Sequence, residues 1–151
     1  EPRMSKSVRT YSAEDIQIIV GGEKVTGYAD GTFVNVSRDE QAYQKTTGAD
    51  GFTSRSRTAN RAGTITLTLQ STSPANDMLS EWARRDEESD DGVFGVLVKD
   101  LRGGTTHSSP AGWIQQFPDD ERSKEIGAVE WVIDCVEIDS FIGATGDGQA
   151  G

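Results

Sequence analysis

The sequence predicts a mainly β protein, a β-sandwich or small barrel with one flanking α-helix. Three observations carry this reading. Thr64 to Gln70 alternates apolar and polar residues without a fault, the pattern of a strand with one dry and one wet side. Short β-rich runs bounded by Gly, Asp or Pro recur along the chain. Only the stretch after Ser73 repeats its apolar residues at helical spacing.

Taken in order, Glu1-Pro2-Arg3 ahead of Met4 reads as a cloning remnant, with Met4 the natural start. Ser5 to Asp15 is polar and expected to be mobile or used in contacts. Ile16 to Val20 is β-branched and strand-like, Gly21-Gly22 signals a turn, and Val25 to Tyr28 suits the returning strand. Asp30-Gly31 signals another turn, leading into a strand over Thr32 to Ser37. There Val34 and Val36 fall on the dry face, Asn35 and Ser37 on the wet one. Residues 38–63 form a polar excursion too long for a tight hairpin turn. Within it, Gly48-Ala49-Asp50-Gly51 favours a tight turn with positive φ. Phe52 follows, an aromatic that either folds back onto the domain or anchors a partner. From Lys45 to Ala62, Lys45, Arg55, Arg57 and Arg61 against Asp50 give a balance of +3, a local reversal of sign. On the strand that follows, Ile65, Leu67 and Leu69 share the dry face, and Thr64, Thr66, Thr68 and Gln70 the uncharged wet one.

Ser73 can cap the helix and Pro74 suits its first turn. Ala75, Met78, Leu79 and Trp82 make its apolar stripe, and the helix should fade near Arg85. Asp86 to Asp91 then reads as an acidic connector ended by Gly92; it lacks the ligand spacing of a calcium loop. Further strands are expected over Val93 to Val98, Ala111 to Phe117 and Gly127 to Ile138, the last with apolar residues on both faces and therefore covered on both. The glycine-rich tail, 143–151, should be flexible.

The chain has 151 residues, enough for one domain with a real core, and a net charge of −10. That balance opposes binding to nucleic-acid phosphates or to an anionic membrane. Acidic segments complementary to the basic excursion exist at Arg84 to Asp91, balance −3, and at Asp119 to Glu125, balance −2. Cys135 is the only cysteine, so no intramolecular disulfide forms, and its apolar neighbours suggest a buried inert thiol. With one histidine and one cysteine no metal-ligand cluster is expected. His107, beside Ser108 and Ser109, is expected in an exposed turn; no nucleophile-elbow motif accompanies it. Gly146 to Gly151 matches a dinucleotide fingerprint by letter, but no helix follows it. No cofactor, catalytic residue or membrane anchor is expected. No signal peptide is visible, and a bacterial-type cytosol is the simplest place of synthesis.

Several segments, in this order and spacing, carry a family resemblance: Tyr11 to Asp15; Gly27 to Phe33; Gly48 to Gly51 with Ser54-Arg55-Ser56; Gly63 to Leu69; Ser73, Asn76 and Leu79; and Glu130-Trp131. Together they resemble the tail tube proteins of contractile-tailed bacteriophages, over nearly the whole chain. The resemblance implies a β-sandwich-like domain whose copies close into hexameric rings, with rings stacking into a hollow tube. Each subunit gives strands, four in relatives, to a continuous barrel around the lumen, which joins sheet edges between subunits. A barrel of so many strands leaves an open channel, because diameter grows with strand number. The extended loop of relatives, which reaches the adjacent ring, corresponds here to 38–63. Its contact residues are then Lys45, Asp50, Phe52, Arg55, Arg57 and Arg61.

The implied partners are other copies of the chain, a tail sheath protein, and baseplate and tail terminator proteins, with double-stranded DNA passing transiently into the host. Relatives also serve headless particles, tailocins and type VI secretion systems. A conduit for DNA should not grip phosphates. The wet face, Asn35, Ser37, Asp39, Thr64, Thr66, Thr68 and Gln70, holds no cation and would suit a lumen wall. A one-residue change of register would exchange the two faces, so the sequence leaves the lumen side open. The competing readings are a monomeric binding module, another tail component of related fold, and an enzyme. A binding module calls for clustered exposed aromatics, whereas Trp82, Trp113 and Trp131 sit in periodic, core-like settings.

Overall fold

The computed structural model describes residues 7–10, 15–29, 31–120, 124–144 and 147–150. Its elements in chain order are β1 (Ser7–Thr10), β2 (Ile16–Val20), β3 (Glu23–Lys24), β4 (Val34–Arg38), β5 (Tyr43–Thr47), β6 (Thr53–Arg57), β7 (Gly63–Gln70), α1 (Ala75–Ser89), β8 (Phe94–Asp100), β9 (Thr106–Ile114), β10 (Ala128–Cys135), β11 (Asp139–Phe141) and β12 (Asp147–Ala150). The fold is mainly β with one helix among the described residues, as the sequence predicts. The expected remnant at residues 1–3, the turn signal at Asp30 and the resemblance residues Tyr11 to Glu14 lie outside the described residues.

The alternation at β7 places that strand inside the sheet. Ile65, Leu67 and Leu69 are each 0 % exposed, while Thr64, Thr66, Thr68 and Gln70 are half-buried on the opposite face. β7 pairs antiparallel with β10 along its whole length and with β4 on its other side. The main sheet runs β3-β2-β8-β9-β10-β7-β4, with β11 added to β9. The sheet wraps round one core, where Ile18 and Val20 of β2 and Val96 and Val98 of β8 join the β7 residues, Trp131, Ile133 and Leu79.

α1 closes the core with Ala75, Leu79 and Ala83 buried. Its start differs in detail from the expected cap. Pro74 occupies the N-cap position without a side-chain cap bond. The buried Ser73 hydroxyl instead accepts the Ala75 N–H at 3.2 Å and donates to the Thr26 carbonyl. The helix also outruns the expected end near Arg85, so Asp86 to Ser89 form its last turn and not a connector. Carboxylates at a helix C-terminus oppose the macrodipole. Here arginines offset them: Arg84 pairs with Glu88 at 3.7 Å, and Arg85 reaches Asp91 at 3.3 Å while lying over the Trp82 ring. Asp90, at φ 54°, ends the helix in the left-handed region.

Two other expectations are corrected. His107 lies within β9, not in a turn, flanked by Val98 of β8 and Ser140 of β11. Pro110 is tolerated in this strand because it falls at a bulge, where the β8–β9 register shifts between Phe94 and Val96. β10 ends at Cys135, and Ile138, past a bend, returns to the core at 0 % exposure. Only one face of β10 is covered: Trp131, Ile133 and Cys135 are buried, whereas Glu130 is exposed and Val132 and Asp134 are half-buried. Within the tail, residues 147–150 form β12, which pairs with β1.

Candidate functional site

Antiparallel registry sets the wet residues of three strands side by side. Asn35 of β4 stands opposite Thr66 of β7, and Ser37 opposite Thr64. On the other side of β7, Asp134 stands opposite Thr64, Val132 opposite Thr66, Glu130 opposite Thr68, and Ala128 opposite Gln70. Paired residues share a face, so β4, β7 and β10 present one continuous polar surface. β9 extends it: Trp113 lies opposite Asp134, and Gln115 donates its amide to the Asp134 carboxylate at 3.4 Å. Trp113 is therefore half-buried on the open face and not a core residue.

No cation stands on this surface among the described residues of β4, β7 and β10. Arg38, the nearest, alternates to the other side with Val34 and Val36, where its guanidinium donates to the Ile138 carbonyl at 2.7 Å. Asp39 is exposed just past β4, held by its N–H to the Ala62 carbonyl. Asn35, Ser37, Thr64, Thr66, Thr68 and Gln70 thus fall on one surface. Glu130 and Asp134, which the sequence reading did not single out for it, add two carboxylates. Their alternation with Val129, Trp131 and Ile133 was visible; that β10 lies beside β7 was not.

This surface ends in open edges. β4 is paired with β7 on one side and with no described strand on the other. β10 pairs with β9 only over Ile133 to Cys135, with one further bond from the Gln115 N–H to the Val132 carbonyl. Ala128 to Trp131 therefore has no ladder partner on that flank among the described residues. Open edges are templates for pairing with another chain.

The polar excursion is a hairpin. β5 and β6 form their own two-stranded sheet, and every residue from Ser37 to Arg57 is exposed. Its turn is held by the Gly48 N–H to the Phe52 carbonyl at 2.9 Å, by the Phe52 N–H to the Asp50 carboxylate at 3.2 Å, and by Gly51 at φ 84°. Phe52 does not fold back; it stands at the tip, 71 % exposed. The register pairs Tyr43 with Arg57, Lys45 with Arg55, and Thr47 with Thr53. One face therefore gathers Lys45, Arg55 and Arg57, with the Arg55 guanidinium 4.4 Å from the Tyr43 ring centre. The other face, Gln44, Thr46, Ser54 and Ser56, carries no charge. Arg61 lies at the hairpin root, where it pairs with Glu137 at 2.6 Å and Asp139 at 3.4 Å of its own chain.

The remaining reactive side chains are in structural settings. The His107 Nδ1 lies 2.8 Å from the Ser140 hydroxyl, and burial lowers its pKa from the ordinary 6.5. Burial raises the Cys135 thiol above its usual value, opposed by the Ser109 hydroxyl. Such a thiol is a poor nucleophile. Among the described residues no three His, Cys, Asp or Glu side chains are grouped to hold a metal ion.

Comparison with known proteins gives three findings. The family model for the bacteriophage PhiTE tail tube protein matches residues 8–143. Structural protein ORF10 of Pseudomonas phage KPP10 is 28 % identical over 138 residues, spanning 86 % of this chain and 80 % of that protein. Two solved structures share the fold. The tube-terminating cap of the anti-feeding prophage matches at TM-score 0.61 and 11 % identity, over 87 % of this chain and 91 % of that one. A chain of the extended sheath–tube complex of an extracellular contractile injection system, PVC, matches at TM-score 0.60 and 14 % identity, over the same shares.

Proposed function

The chain belongs to the bacteriophage PhiTE tail tube protein family, and from that premise we propose that its copies close into hexameric rings stacked as the hollow inner tube of a contractile tail. A structural protein of the virion tail is what family membership establishes; ring, lumen and cargo are our reading. Closure joins the free edge of β4 in one subunit to the free flank of β10 in the next, by β-augmentation. The strands β4, β7, β10 and the end of β9 then supply the barrel, with Asn35, Ser37, Asp39, Thr64, Thr66, Thr68 and Gln70 lining the lumen beside Glu130 and Asp134. The hairpin reaches the adjacent ring through Lys45, Phe52, Arg55 and Arg57, with Asp50 holding its turn and Arg61 its root. The sheath packs outside, terminator and baseplate proteins close the two ends, and assembly takes place in the host cytoplasm.

One observation carries the conduit reading: among the described residues of β4, β7 and β10, the open sheet face is uncharged at its centre, acidic at its flank and free of cations. Each lysine or arginine on that wall would add a phosphate contact and slow a passing duplex. Fixed carboxylates repel the duplex over about 10 Å at ordinary salt. Replacing Thr66 and Thr68 together with lysine should leave tubes intact and sharply reduce DNA delivery. Normal infectivity in that variant overturns the reading. A second reading, the tube of a headless injection particle, draws on the fold shared with the PVC tube complex. Particles bearing this chain that lack both capsid and DNA would establish it.

A further inference from the structure

Resting on the stacked-ring reading, we propose that the hairpin of one copy seats in a notch at the opposite pole of a copy in the next ring. Phe52 packs there on Phe117, and Lys45, Arg55 and Arg57 face Asp119 and Asp77. The placement follows from β7. The hairpin springs from the Arg38–Gly63 end of the β4–β7 ladder. The notch lies at the other end, where Gln70 stands opposite Ala128. The strand between spans about 24 Å at its usual rise.

The notch is a shallow depression between the start of α1 and the first half of β10, on the face away from the threonine row, lined by Asp77, Phe117, Asp119 and Trp131. Among the described residues, no lysine or arginine lines it. The acidic end of α1 is a weaker match, because Arg84 and Arg85 already offset its carboxylates. The notch also holds an aromatic platform. Phe117 is 40 % exposed and leans on Trp131 with ring centres 6.4 Å apart. An exposed aromatic flanked by three cations at one pole thus has a counterpart of exposed aromatic and carboxylates at the other. Complementary patches at opposite poles of one chain make a head-to-tail contact, which propagates as a filament when it does not close. With the basic face seated, the uncharged face of Gln44, Thr46, Ser54 and Ser56 is left to continue the wall chemistry of Thr64 to Gln70.

Charge reversal tests the pairing, because like charges brought together across an interface repel and suppress docking. Arg55→Glu with Arg57→Glu should shorten tubes about tenfold or more while rings still form. Asp119→Arg with Asp77→Arg should do the same, and all four changes together should restore tube length. If the hairpin variant fails to stack but the notch variant grows normally, the notch is wrong and the stacked-ring reading stands. If tubes grow normally in both variants, the hairpin pairing fails and the stacked-ring reading stands; if the unaltered chain forms no tubes at all, the stacked-ring reading itself fails. A second readout does not depend on charge: Phe52→Cys with Phe117→Cys should give intermolecular disulfide ladders on oxidation of assembled tubes. Cys135, buried at 2 % exposure, contributes no background. Intact tubes without that crosslink overturn the proposal.

Discussion

Glu130 of β10 stands directly opposite Thr68 of β7, so a carboxylate borders the end of the uncharged threonine row. The cross-strand partners of Thr66 are Asn35 and Val132, neither charged. A lysine at 68 therefore meets a carboxylate directly opposite, and a lysine at 66 meets carboxylates only on the diagonal. Thr66→Lys should reduce DNA delivery more than Thr68→Lys, and adding Glu130→Gln should bring the second variant down to the first. Phage titre per assembled particle measures this; equal titres for all three contradict it.

Trp131 donates its indole N–H to the Asn76 carbonyl oxygen at 2.9 Å, and the same Asn76 donates to the Gln70 carbonyl at 3.0 Å. This side chain ties the first turn of α1 to the far ends of β7 and β10. Trp131 is only 2 % exposed, so removing its partner leaves a buried donor unsatisfied. Asn76→Ala should cost about 1–3 kcal/mol in a urea titration. A loss below about 0.5 kcal/mol would show that water replaces the side chain.

Gly63 begins β7 where the strand has no room for a side chain. A Cβ there would overlap the Ser37 carbonyl oxygen and the Ile138 methyl, and would press on the Arg38 backbone. Gly63→Ala should push β4 outward and cost about 1–3 kcal/mol, the usual penalty of overpacking. Because β4 is the free edge, ring formation should suffer at temperatures where the subunit is still folded. Sedimentation alongside circular dichroism separates the two effects; rings that persist up to the melting temperature contradict this.

His107 predicts one limb of the pH dependence. Burial lowers its folded-state pKa below the ordinary 6.5, so the unfolded chain binds the proton more readily. The stabilisation is fully present above the unfolded value and is lost as pH falls through the folded one. His107→Gln should flatten the fall in urea midpoint between about pH 7 and about pH 5. Parallel curves for the two proteins would exclude His107 as the source.

Stacking through a basic hairpin should be salt-sensitive, because exposed charges are screened within about 8–10 Å at physiological ionic strength. Raising salt should slow tube growth, followed by light scattering, more than it changes the urea midpoint of the subunit. Growth that speeds up with salt would point to apolar contact alone.

β7 was legible in the sequence because one-sided burial and strand periodicity give the same alternation. Val34, Val36 and their polar neighbours on β4 were legible for the same reason. The hairpin strands were not: Tyr43 to Thr47 and Thr53 to Arg57 are exposed on both faces, so no alternation marks them. β9 was half missed, because His107 to Pro110 is a polar run made into strand by distant partners on β8 and β11. The overrun of α1 depended on side-chain pairs and a left-handed Asp90, which local charge counting weighs the wrong way. The polar surface was found through β4 and β7 but lacked Glu130 and Asp134, since neighbourhood in a sheet is a long-range fact.

The most direct measurement is a cryo-electron microscopy map of the purified chain at assembly concentrations. The account predicts hollow tubes of stacked hexameric rings, with the Thr66 side chain pointing into the lumen and β4 hydrogen-bonded to a neighbouring subunit. A monodisperse monomer, or tubes whose Thr66 faces outward, would contradict it.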